Sequence, residues 1–429
     1  MNINYDYLRH LKAEKLKSMH NADAFVKKDS LDVWQGENAT ILPIRKSPDP
    51  IVLFGAGGVA DCNGNYLELS SIDGRVTGGY SFEKSVYKDL KVVYCGYLVN
   101  QWGHFLVEAI SRLWYFLKYD NDTIDKYVFI LEQDSTREIY GNYKEFLTLI
   151  GIWDKVEIIN TPTTYREVIV PEVSYYRTKF YSQEFIDIFK AVTDNAIDDS
   201  DTNYPDKIYL SRSKLSKAQK LELGLDCLDN YFIKNGYTVL FPEEFSLRKL
   251  ILHIKHADIC AAVSGSLPHN FLFADNDKKI LILERNVINN EIQCEINIAK
   301  NLNVTYVDAN IPIYSVIPSY GPFILGYSDM LEKYTLDFSM QKPDDEFMTD
   351  KYKKSLFQKY MKAYKEKYHY QWHIDDWFMG DIPSLYEGYE YGLKYFKEYL
   401  CGQKPFTFTQ YLISNRYVKQ LVRIIKKLT

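Results

Sequence analysis

Three side chains in the stretch L-V-N-Q-W-G-H-F-L-V-E-A-I-S-R-L-W, Leu98 to Trp114, are of types that move protons or hold charge: His104, Glu108 and Arg112. They stand four residues apart, so on a helix they lie along one side. Phe105, Leu106, Ala109, Ile110, Leu113 and Leu117 recur at helical spacing and predict a buried face, with Asn100 as the cap. A Glu108–Arg112 pair is what a solvated stripe would hold. His104, flanked by Trp102, Gly103 and Phe105, is an odd choice for a plain surface turn.

A second stretch, Asp258 to Asp275, has a different chemistry. The apolar run Ile259 to Val263 is of strand length and stops at Ser264-Gly265-Ser266. A helical pattern then opens with Pro268 in its first turn and Ser266 as its cap. Strand, small-residue turn and helix together aim free backbone N–H groups at an anion.

The elements that must position these residues are legible as alternation. From Val33 to about Leu98, short apolar runs (I-V-L-F at Ile51, K-V-V-Y at Lys91) are separated by turn signals such as D-C-N-G-N at Asp61. Gly55-Ala56-Gly57-Gly58 is followed by a hairpin pattern and not a helix, which excludes a dinucleotide loop. Strands are predicted at 127–131, 156–159 and 168–170, and helices near 143–150 and 183–195. The polar segment Ala196 to Pro205 reads as a linker.

Beyond it, strands at 207–210, 237–241, 259–263, 279–283 and 304–307 alternate with helices at 219–235 and 245–255. This predicts an α/β, doubly wound parallel sheet. Ser211-Arg212-Ser213, Pro242-Glu243-Glu244 and Ser264-Gly265-Ser266 each follow a strand, so all three turns open on one sheet edge, where ligands of such sheets sit. Residues 5–19 read as an exposed, charged helix, and the chain beyond about Gly326 as helical. The organisation expected is 1–195, a linker 196–205, 206–325, and a helical extension 326–429.

Composition narrows the class. The 429 residues, 46% hydrophobic and 25% charged, suit a globular protein of two or three domains. A net charge of −5 argues against a nucleic-acid binder. The last 31 residues carry +6 and the rest −11. Arg416, Lys419, Arg423, Lys426 and Lys427 form one face of a C-terminal helix, suited either to an anionic membrane surface or to the protein's own acidic body. The six cysteines include no C-x-x-C pair. The N-terminus lacks a signal-peptide core, and no apolar run of about 18 residues exists to span a bilayer, so a cytoplasmic chain is expected. His369 and His373 have H-x3-H spacing but no third ligand, and a packed aromatic helix is the expectation there.

Taken together, W-G-H-F-L-V-E-A-I-S-R-L-W at Trp102 resembles the W-G-H-F-x-x-E-x-x-x-R-x-W signature of glycosyltransferase family 61. K-I-Y-L-S-R at Lys207, P-E-E-F-S-L at Pro242 and A-D-I-C-A-A-V-S-G-S-L-P-H-N-F-L-F-A at Ala257 are similar to its later blocks, in order and spacing. The resemblance covers roughly residues 30 to 310. Ser264 and His269 stand where many members have His and Thr, and Glu222 is the nearest candidate for the Glu of a frequent Asn-Glu pair.

The resemblance implies a GT-B-like fold: two Rossmann-like domains facing across a cleft, the C-terminal one holding the nucleotide-sugar. It further implies inverting transfer to a glycan or lipid-linked glycan, without a cofactor or essential metal, in capsule or exopolysaccharide synthesis. On that reading His104 or Glu108 is the base, with Trp102 and Arg112 supporting and Arg112 holding Glu108. The nucleotide-sugar side falls to Ser211, Arg212, Glu243, Ser264, Gly265, Ser266, His269 and Asn270. A degenerate transferase fold serving as a scaffold, or another nucleotide-sugar enzyme such as an epimerase, are the alternatives.

Overall fold

The computed structural model describes residues 1–20, 25–45, 55–72, 76, 78–119, 122–197, 203–285, 291–310 and 321–368. It is a mixed α/β protein with two six-stranded sheets. The His369–His373 pair and the basic C-terminal face lie outside the described residues.

In the first sheet the strands run Ala56–Ala60, Val33–Arg45, Thr163–Pro171, Val86–Tyr97, Lys126–Ile130, Val156–Ile159. The first three pair antiparallel and the last four parallel, Thr163–Pro171 belonging to both sets. The turn at Asp61 forms as its residues predict, the Asp61 carboxylate accepting from the N–H groups of Asn63 and Asn65 at 2.8 Å.

The second sheet is parallel throughout, in the order Asn2–Tyr7, Asn303–Asp308, Lys279–Glu284, Ile259–Val263, Lys207–Leu210, Thr238–Leu240. Its central strands are near-continuous apolar runs because helices cover both faces. Burial keeps the Cys260 thiol there protonated, pushing it up to about 12.

Two local expectations change. The N-terminal residues form a strand, Asn2–Tyr7, that pairs with Asn303–Asp308 in the second sheet, followed by a helix, His10–His20. Lys12, Leu16 and His20, spaced by four, put one face of that helix in the interior instead of in water. There Lys12 pairs with Asp308 at 2.6 Å and Glu284 at 3.4 Å, at the ends of two strands.

The helix expected at 219–235 is broken. Ser216–Leu221 is helical, Glu222–Leu223 pairs with Phe323–Ile324, and a new helix runs Leu225–Lys234. Gly224 makes the break with φ +93°, and a Cβ there would stand 2.0 Å from the Leu325 carbonyl oxygen.

The sheets share an apolar layer. On the helix Gln183–Ala196, Phe185, Ile188, Phe189, Val192 and Ala196 form one buried stripe. Leu247–His256 starts where the Ser246 hydroxyl accepts from Lys249 N–H, and it buries Leu250, Ile251 and Ile254. Phe273 joins the halves, its ring centroid 5.4 Å from Phe189 and 6.4 Å from Phe146. Each such buried ring contributes about 1.5–3 kcal/mol.

Polar contacts follow the same seam. Glu145 accepts from the N–H groups of Leu247 and Arg248 at 2.6 and 2.9 Å. Tyr175 donates to the buried Glu295 carboxylate. Beyond Gly326 the described residues are helical at Asp329–Asp337, Asp345–Met348 and Asp350–Tyr368. No helix among the described residues is long and apolar enough to cross a membrane.

Candidate active site

The strand Val86–Tyr97 delivers the chain to Gln101, whose extended backbone precedes the first helical turn. Gln101, not Asn100, is the cap, and no side chain satisfies it; its carbonyl accepts from Phe105 N–H at 2.8 Å. The expected single helix is three pieces: an α turn Trp102–His104, a π turn Phe105–Ala109, and, after a bend, Trp114–Lys118. The π turn is wider than an α turn, so residues beyond it rotate off the line that four-residue spacing would hold.

That rotation decides the partners. The His104 Nδ1 lies 2.7 Å from Glu108 Oε1, with the imidazole 28% exposed and the carboxylate 9%. Arg112 does not pair with Glu108. It is fully buried, donating from Nε to the Pro171 carbonyl at 2.8 Å and from Nη2 to the carbonyls of Leu69 and Ser71 at 2.8 and 2.9 Å. Burial pulls it below the usual arginine range. Three carbonyl acceptors offset the desolvation of a buried guanidinium, so Arg112 is a clamp on the first sheet.

The Asp258–Asp275 unit differs from expectation in its second half. After Ile259–Val263 the chain turns at Gly265, φ +127°, and enters a six-residue 3-10 helix, Pro268–Phe273, in place of an α-helix. Leu267, not Ser266, precedes it, and no side chain caps it. Ser266 is exposed. Ser264 is buried, its hydroxyl accepting from Arg285 N–H at 3.1 Å.

His269 and Asn270 are buried and hydrogen-bonded within the protein. Asn270 donates to the Leu267 carbonyl at 2.8 Å. His269 Nδ1 lies 2.9 Å from Gln293 Oε1, and Gln293 Nε2 donates to Asn297. That chain turns the Gln293 oxygen toward the ring, so His269 carries its proton on Nδ1. Burial pushes its pKa down to about 4, and the ring is neutral at pH 7.

The two motifs meet. Trp102 Nε1 donates to Asn270 Oδ1 at 2.9 Å. A Cβ on Gly103 would stand 2.7 Å from Ser266 Cβ and 2.8 Å from His269 Cδ2, so only glycine lets the His104 turn sit this close.

The three turns expected on one sheet edge do lie there, at the carboxyl ends of adjacent parallel strands. Ser211 and Ser213 both donate to Asp229, Ser211 at 2.6 Å, so the Ser211 hydroxyl hydrogen points into the protein. Glu243 is exposed beside Glu244, which pairs with Lys214 at 2.9 Å.

Arg212 Nη1 lies 3.0 Å from Glu222 Oε1, and Arg285 Nη1 lies 2.8 Å from the same oxygen. Two guanidiniums thus share one carboxylate oxygen beside the turn, with Glu284 a second anionic neighbour of Arg285. The Arg285 guanidinium packs against Gly265, where a Cβ would approach it to 2.6 Å, and over the Phe323 ring at 4.6 Å. Arg285 was missed in the sequence reading, although the same edge rule selects it, since it directly follows Lys279–Glu284.

Among the described residues no three His, Cys, Asp or Glu side chains converge as metal ligands. The family model described as Glycosyltransferase 61 matches residues 102–281, a span that runs from Trp102 through Leu281. No curated protein matches the chain.

Proposed function

We propose, from the match of residues 102–281 to the model of glycosyltransferase family 61, that this chain moves a sugar from a nucleotide-sugar to a hydroxyl of a glycan or lipid-linked glycan. The observation that carries the reading is the contact of the His104–Glu108 pair's own turn, through Trp102 and Gly103, with the Ser266–Asn270 segment. A group able to take a proton and a cationic anion-holding edge thereby belong to neighbouring walls.

The reaction proposed is a single inverting displacement. The acceptor O–H gives its proton to His104 Nε2 while its oxygen bonds to the anomeric carbon. The bond from that carbon to the diphosphate oxygen breaks, and its electron pair leaves with the nucleoside diphosphate. Glu108 at Nδ1 orients the ring and stabilises the imidazolium that forms. Arg212 and Arg285 would neutralise the departing diphosphate, since planar guanidiniums fork onto phosphate oxygens. On this reading the charge is met by arginine without an essential metal. The two sheets correspond to a GT-B-like pair of units, with Gly265 and Ser266 N–H groups on the donor and Glu243 on a neighbouring turn.

The setting proposed is capsule or exopolysaccharide synthesis at the inner face of the cell membrane. Residues 411–429 would rest on anionic lipid, each basic side chain adding about 1 kcal/mol near the surface. Deleting them should release the protein from membranes, and unchanged partition would remove that role. The test of the chemistry is nucleoside diphosphate release from a nucleotide-sugar panel. His104→Ala and Glu108→Gln should each slow it by about 10²–10⁴-fold. Near-normal rates in both would sink the assignment.

A further inference from the structure

In the helix Glu291–Ala299 every residue from Ile292 to Asn297 is buried, and Gln293, Glu295 and Asn297 among them are polar. Residues four apart share one side of a helix and residues two apart point to nearly opposite sides. Gln293 and Asn297 therefore face one way and meet groups that belong with the second sheet. Gln293 reaches His269 at 2.9 Å, and Asn297 donates to the Tyr306 hydroxyl at 2.7 Å. Glu295 faces the other way, where its carboxylate accepts from the Tyr175 hydroxyl and from Thr178 N–H at 3.0 Å.

Tyr175 and Thr178 belong to a hairpin in which Tyr175–Tyr176 pairs with Phe180–Tyr181. Its first strand packs on the π turn Phe105–Ala109. Hydrogen bonds tie the two together. Ser174 donates to the Ser111 carbonyl from its N–H at 2.8 Å and from its hydroxyl at 2.6 Å. The Ser111 hydroxyl in turn donates to the Glu108 carbonyl at 2.7 Å. Tyr175 is buried within electrostatic reach of the Glu108 carboxylate. Its ring stacks on Phe185 with centroids 5.1 Å apart, which fixes the direction of the hydroxyl.

The hairpin is held against strain. Thr178 has φ +60°, a left-handed conformation that a β-branched residue rarely adopts. Such a residue persists where surrounding contacts over-determine it, and here the Glu295 carboxylate takes its N–H. Burial pushes the Tyr175 hydroxyl well above the usual tyrosine range, so it keeps its proton and donates. Arg177 is the nearby cation and Glu291 a second carboxylate near Glu295.

We propose that Tyr175 and Glu295 are positioning residues for Glu108: they fix the hairpin against the π turn and so hold the Glu108 carboxylate on His104 Nδ1. A carboxylate only accepts, so its place there keeps the ring proton on Nδ1 and presents the Nε2 lone pair to a second proton. The consequence for turnover rests on the glycosyltransferase reading, whereas the positioning itself is read without substrate.

The experiment is NMR of the full chain carrying isotope-labelled histidine, at pH 9, well above the ordinary histidine value. The ring-nitrogen shifts of His104, assigned by their loss in His104→Gln, report which nitrogen carries the proton. The unaltered protein should show the Nδ1-protonated form. Tyr175→Phe keeps the ring on Phe185 and deletes only the hydroxyl, and Glu295→Gln keeps the volume and removes one acceptor. Each should shift His104 toward the Nε2-protonated form. Each should also lower kcat for nucleoside diphosphate release about 10–100-fold at unchanged donor KM, the scale of a misplaced reacting group. The double variant should fall no further than the worse single one, because both changes break one hydrogen bond. Tyr175→Phe alone settles the matter if Glu295→Gln does not fold.

An unchanged His104 proton position in Tyr175→Phe, or a raised donor KM at unchanged kcat, overturns the positioning. A shifted proton position, in a protein whose unaltered form releases no nucleoside diphosphate from any nucleotide-sugar, overturns the transferase reading and leaves the positioning of Glu108 standing.

Discussion

The Trp102 indole N–H and the Asn270 carboxamide oxygen are joined at 2.9 Å across 168 residues of sequence. This bond and the bare Cα of Gly103 beside it bring the end of a first-sheet strand against a turn of the second sheet. The turn that carries His104 is held against the Ser266–Asn270 segment at this contact.

Gly103→Ala would force the Ser266–His269 wall back, because 2.7 Å is closer than carbon atoms pack. Misplacement of reacting groups by about 1 Å can cost about 100-fold in rate. Turnover should fall by that order. Trp102→Phe removes one hydrogen bond, about 0.5–1.5 kcal/mol, and should act more weakly. Equal effects of the two changes on nucleoside diphosphate release would contradict this ranking.

Arg285 and Arg212 share one carboxylate oxygen but not one environment, since Arg285 is the more buried. Removing one partner of a buried pair costs about 3–5 kcal/mol. Arg285→Ala should therefore lower both stability and donor affinity, whereas Arg212→Ala should mainly raise the donor KM. Urea denaturation beside steady-state kinetics separates them, and an Arg285→Ala protein as stable as wild type would refute the buried-pair account.

Arg112→Lys is expected to unfold more readily without changing the donor KM of the folded fraction. A lysine cannot reach the carbonyls of Leu69, Ser71 and Pro171 together. Each carbonyl bond lost should cost about 1.5–3 kcal/mol, as for a hydrogen bond to a charged group. A change confined to catalysis, with an unaltered melting temperature, would return Arg112 to the site.

His269 makes stability depend on pH in a definite direction. Its folded pKa, about 4, lies below the unfolded value near 6.5, so the unfolded chain binds the proton more tightly. Its contribution is fully present above pH 6.5 and is lost as pH falls toward 4, about 3 kcal/mol over the window. His20, also lowered by burial, acts in the same sense. Urea midpoints at pH 7 and pH 5 should differ less in His269→Gln than in wild type; an identical difference would show that His269 is protonated when folded.

Much of the frame was readable in the chain itself. Strand-length apolar runs such as Ile259–Val263, separated by helical repeats, announced the parallel sheet, and parallelism put the turns at Ser211, Pro242 and Ser264 on one edge. W-G-H-F marked the turn that carries His104, and His104 does meet Glu108. The register of apolar residues dictates which face is inside, and this is a local property.

The tertiary structure decided the partners. Four-residue spacing joined Glu108 to Arg112, but a π turn that no periodicity announces sent Arg112 to three distant carbonyls. Helical spacing carried 219–235 through as one helix, until Gly224 met the Leu325 backbone and freed Glu222 to face two arginines. Segments more than 40 residues apart meet in both groupings. Long-range packing selects such contacts, and local spacing carries no record of it.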